Sequence, residues 1–69
     1  MLHLRLISPP DRTDAVCSLL ADTIGVTNVI VLAGAAREPA GDVVMCDVAR
    51  EATDHLVDEL IALGIEQDG

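Results

Sequence analysis

No phenylalanine, tyrosine or tryptophan occurs anywhere in the 69 residues. The core must therefore be assembled from aliphatic side chains, and the rings on which nucleic-acid bases stack are missing. Lysine is absent too, and the few arginines leave a formal net charge of −8. A chain with that balance repels phosphate backbones, which excludes nucleic acid as a partner. Long apolar runs are lacking. The longest, residues 29–36, falls far short of the roughly 18 residues needed to span a bilayer. No basic segment followed by an apolar one opens the chain, so no signal peptide is read. The two cysteines, Cys17 and Cys46, match no CxxC or zinc spacing. Each falls on an apolar face and reads as a buried thiol in a reducing, cytoplasmic setting, while a disulfide between them is a question of geometry.

What is present is a single small domain. A chain this short buries only about 60% of the surface that its unfolded form exposes, so modest stability is expected. The organising stretch is residues 42–65, a strand that feeds directly into a helix. Val43, Val44, Met45, Cys46, Asp47 and Val48 are β-branched or apolar and follow Gly41, the pattern of a strand. Residues 50–63 switch to helical spacing. Ala52, Thr53, Leu56, Val57, Leu60, Ile61 and Leu63 fall on one side of the wheel, with Glu51, Asp54, His55, Asp58 and Glu59 on the other. Gly64 supplies a left-handed residue to end that helix, and Ile65 is placed as its hydrophobic cap contact.

Upstream, Leu2, Leu4 and Leu6 alternate with His3 and Arg5, the period of a strand with one buried face. Ser8-Pro9-Pro10 stops it, and proline suits the first turn of a following helix. That helix is expected over residues 11–23, with Val16, Cys17, Leu19, Leu20 and Ile24 inward and Gly25 ending it. Residues 26–32 read as a second strand, and 33–41, rich in small residues, as a mobile hairpin loop. A further strand could begin at Ile65, before a polar end over residues 66–69.

The order β-α-β-β-α is five-sixths of the ferredoxin-like split β-α-β module, an α+β sandwich with both helices on one face of an antiparallel sheet. Residues 1–69 then read as one ferredoxin-like domain, a fragment whose last strand is missing or truncated. Without that strand, the first strand keeps an unpaired edge. The helix-free face would carry Val29, Val31, Val43 and Met45 beside His3, Arg5 and Asp47. These features point to a homo-oligomer, with Val29, Val31, Val43, Met45 and Asp47 as interface candidates.

Candidate chemistry is sparse. On the open face His3 and Arg5 read first as cross-strand partners of Asp47, and a small anion or polar-ligand site is the lesser reading. Ser8, Asp11 and Arg12 open a helix whose backbone donors could receive an anion, but no glycines let a phosphate approach closely. His55 has Glu51, Asp58 and Glu59 at helical spacing, which reads as a solvated acidic face or a weak metal site. No nucleophile–base arrangement, phosphate loop or paired carboxylates is legible, so neither an enzyme nor a cofactor is expected.

Four stretches carry a resemblance: Leu2-His3-Leu4-Arg5-Leu6, Pro9-Pro10-Asp11-Arg12-Thr13, Gly25-Val26-Thr27-Asn28-Val29 and Cys46-Asp47-Val48-Ala49-Arg50-Glu51-Ala52. Together they resemble the N-terminal segment of the bacterial membrane proteins grouped as domain of unknown function 389, the uncharacterised hydrophobic domain family. The Arg-, Ala- and Val-rich style looks actinobacterial. The resemblance implies a soluble cytoplasmic head of a bacterial inner-membrane protein, preceding a block of transmembrane helices in the same polypeptide. It also implies a short strand after Gly69, and it transfers no catalytic or binding residues. The expected function is an interaction or regulatory domain acting through sheet-mediated self-association. The alternative is a sensor similar to ACT-type domains, binding a small metabolite at a subunit interface beside residues 8–13.

Overall fold

A computed structural model describes residues 1–65 of the chain. The elements run β1 (Leu2–Ser8), α1 (Thr13–Asp22), β2 (Val26–Arg37), β3 (Ala40–Val48) and α2 (Arg50–Ala62). The three strands form one antiparallel sheet in the order β1-β3-β2. This is the expected α+β, ferredoxin-like arrangement, with β1 at an edge. The polar end, residues 66–69, lies outside the described residues, and Ile65 belongs to no strand.

The alternation in β1 and β3 decides which face is buried. Leu4, Leu6, Val44, Cys46 and Val48 point under the helices and are almost fully enclosed. Val16 and Leu20 of α1, Leu56 and Leu60 of α2, and Ile65 complete this aliphatic core. Spacing of four residues puts each helical pair on one line, one turn apart, which is the narrow stripe an amphipathic helix buries. Residues off that stripe stay out. Ile61, expected on the inner side, is 63% exposed because it lies about 100° around the helix from Leu60. Ile24, also expected inside, is 94% exposed because α1 ends at Asp22 before the stripe reaches it.

α2 closes as its sequence suggests. Gly64 takes φ 80°, its N–H donates to the Ile61 carbonyl, and the Ile65 N–H donates to that of Leu60. This pair of bonds is the Schellman motif, and Ile65 buries itself beside Leu60 as the accompanying apolar contact. The Arg12 guanidinium reaches across from the start of α1 and donates to the Leu63 carbonyl at 2.9 Å. A cation there satisfies an orphan carbonyl and complements the negative end of α2.

The 33–41 segment is not a loop. β2 continues to Arg37, Glu38 and Pro39 alone make the turn, and β3 begins at Ala40. The small residues are accommodated by an irregularity between Leu32 and Ala36, where Gly34 adopts φ 68°. Its N–H donates to Asp42 Oδ1 at 2.7 Å, which satisfies one donor freed by the interruption. Across the sheet, Gly41 lies so close to β1 that a Cβ would sit 2.5 Å from the Ser8 carbonyl oxygen.

The packing predicts unequal costs on α2. Leu56→Ala should destabilise the chain by about 2–5 kcal/mol, the usual cost of a core cavity. Ile61→Ala should stay within about 0.5 kcal/mol. Urea denaturation followed by circular dichroism measures both, and equal losses would contradict the placement of the core.

Candidate functional site: the helix-free sheet face

The register of β3 with its neighbours builds the helix-free face row by row. Residues directly opposite one another share a face, so three cross-strand rows can be read off. Ile7, Val43 and Leu32 form the row nearest the β2–β3 turn. Arg5, Met45 and Ile30 form the next, and His3, Asp47 and Thr27 the last. The face therefore grades from apolar at one end to polar at the other. A depression of about 490 Å³ lies over it, lined by His3, Arg5, Asn28, Ile30, Met45 and Asp47 among others.

Val43, Met45 and Asp47 take the expected face, but Val29 and Val31 do not. Val31 pairs with Val44, whose side chain is in the core, so Val31 belongs to the helix side. Val29 falls within a bulge between Thr27 and Ile30 and has no register partner. One extra residue there reverses the alternation of β2, which brings Ile30 and Leu32 to the open face instead. Asn28 sits in that bulge at φ 55°, a left-handed conformation that asparagine tolerates better than most residues. An asparagine just before a β-branched run was the available signal for it.

Asp47 is the polar hub. Its Oδ2 accepts from the Asn28 amide at 2.9 Å, and its Oδ1 contacts His3 Nδ1. These two hydrogen bonds, Asn28's first and then that of His3, hold the Asp47 carboxyl below its ordinary range. Asn28 also joins the bulge to the strand that sets the register. The His3 side chain is otherwise 85% exposed, whereas that of Asp47 is 19% exposed.

The other polar candidates are engaged inside the fold. Ser8 is fully buried, its hydroxyl 3.1 Å from that of Thr13. The Thr13 hydroxyl donates to Asp42 Oδ2 at 2.6 Å, tying the start of α1 to β3. That bond, followed by the Gly34 N–H, lowers the Asp42 carboxyl from its usual range. Arg12 is spent on Leu63, and Asp11 is exposed beside it in sequence. Residues 8–13 thus form a joint between β1, α1 and β3.

On the helices, His55 Nε2 lies 4.0 Å from Glu59 Oε1, both well exposed. No group of three or more metal-capable side chains gathers among the described residues. Cys46 is buried and its thiol is pushed up, first by burial and then by the neighbouring Asp47 charge. Cys17 is half-buried and, like Cys46, unbridged.

The fold and face define a small α+β domain of ferredoxin-like order with a graded sheet surface that no element among the described residues covers. The chain matches no family model, no curated protein and no solved structure. The family resemblance therefore rests on the four stretches that carry it.

Both β3 carboxylates bind protons more weakly in the folded chain than when unfolded. Their contribution to stability is thus complete above the ordinary aspartate range, near about pH 4, and is lost as pH falls through the lowered folded values. Urea midpoints should fall on acidification, and Asp47→Asn should flatten part of that slope. An unchanged acid slope in the variant would contradict the hub assigned to Asp47.

Proposed function

We propose that this chain is an interaction domain that works through its sheet, pairing with another copy of itself. The observation that supports this most is the apolar end of the open face, where Ile30 and Leu32 are 49% and 46% exposed. Large aliphatic side chains grouped on one uncovered face of so small a domain mark a docking surface. The regular outer edge of β1, unpaired among the described residues, is a second place where a chain could add.

The setting we propose follows the family resemblance: the cytoplasmic head of a bacterial inner-membrane protein, regulating or assembling the membrane block that follows it in the same polypeptide. Among the described residues no helix is long and apolar enough to cross a membrane, so such a block would have to lie elsewhere. Self-association of the heads would then couple copies of the membrane block. The sensor alternative finds residues 8–13 already hydrogen-bonded into the fold, which leaves the depression over Met45 as the place for a metabolite.

Light scattering across a wide concentration range tests the interaction reading, which expects mass to grow with concentration. A strict monomer throughout would overturn it. Reading the gene beyond Gly69 tests the setting: several apolar stretches of roughly 20 residues are expected, and an immediate stop codon would remove it.

A further inference from the structure

Charge in this chain is sorted between its two layers. Asp14, Asp22, Glu51, Asp54, Asp58 and Glu59 all sit on the helices, opposed there by Arg50 and by Arg12, which caps the end of α2. Among the described residues the open face, by contrast, carries one arginine, one aspartate and one histidine. Two copies meeting through their helices would bring like charges together. Two copies meeting through their sheets would keep the acidic layers on opposite outer sides.

The edges are not equivalent either. β2, which forms one border of the sheet, is interrupted twice, at Asn28 and near Gly34. Bulges of this kind blunt an edge against strand addition. β1 runs through seven unbroken pairs with β3 and has no such interruption.

We propose that a second copy of this chain covers the open face, sheet against sheet, about a two-fold axis running along β3. This rests on the interaction reading above and specifies its surface. With that axis each cross-strand row lies on its own copy. Ile7 faces Leu32 of the second copy, Val43, Met45 and Asp47 meet their own equivalents, and Arg5 lies over Ile30. The contact is isologous, as a closed dimer requires. Its apolar end joins Ile7, Val43 and Leu32 of both copies, and the His3–Asp47–Thr27 row lies at the opposite, solvated rim, where each Asp47 keeps its bonds to His3 and Asn28 of its own copy. A two-fold axis running across the strands through the Arg5–Met45–Ile30 row would instead stack the apolar row of one copy on the polar row of the other.

The test compares two faces of one strand. Ile30→Glu/Leu32→Glu places charge on the open face, whereas Val29→Glu/Val31→Glu alters neighbours of similar exposure, of which Val31 belongs to the helix side and Val29 to the bulge. Sedimentation equilibrium of the 69-residue chain and both variants, with circular dichroism as a check on folding, reads the outcome. The first variant should weaken self-association by on the order of 100-fold, and the second should leave it within about threefold. Should the first double variant lose its fold, Leu32→Glu alone carries the same test. Self-association that survives Ile30→Glu/Leu32→Glu overturns the face pairing and leaves the interaction reading to the β1 edge. A wild-type chain that is monomeric at every concentration overturns both.

Discussion

Among the described residues β3 is the one strand bonded along both edges, and the rest of the structure depends on its alternation. Val44, Cys46 and Val48 supply the sheet's central contribution to the core, while Val43, Met45 and Asp47 form the spine of the opposite face. A one-residue slip against either neighbour would exchange these sets and put Asp47 among leucines. Two carboxylates on the same strand help fix the register. Asp47 holds β1 through His3 and the β2 bulge through Asn28, while Asp42 holds α1 through Thr13 and β2 through Gly34. In a chain without aromatic rings, where each buried side chain contributes little area, such ties matter more than in a larger core.

Much of this is legible from the residues. The leucines of β1 alternate without interruption, and the Gly64–Ile65 ending of α2 can be read directly because its geometry demands those residue types. β2 is where local reading stops. Alanines and glycines between residues 33 and 41 have low strand preference, so in isolation they suggest a loop, and pairing with β3 overrides that preference. The phase of the strand is set by a left-handed Asn28 and not by its hydrophobic pattern, since valine, isoleucine and leucine follow one another from Val29 to Leu32. A continuous apolar run does not reveal which members face inward. That is why Val29 and Val31 seem as suitable for the open face as Ile30 and Leu32 until the register is known.

The polar candidates show a related limit. Ser8, Arg12 and Thr13 look like a helix start open to a ligand because sequence spacing does not show that Leu63 and Asp42 lie within hydrogen-bond reach. Tertiary contacts turn this apparent site into a joint between β1, β3 and both helices. What the joint leaves over is the sheet face, where burial of aliphatic groups remains incomplete and charge is nearly balanced. The acidic helical layer keeps the other side of the molecule dispersed in water.

Amide nitrogen–proton correlation spectra recorded over a dilution series test the pairing through the sheet face most directly, since they report which residues change environment as copies meet. The account predicts concentration-dependent shifts at Arg5, Ile30, Leu32, Val43 and Met45, with the outward residues of α1 and α2 unmoved. Shifts centred on the helices, or none at the sheet face at any concentration, would contradict it.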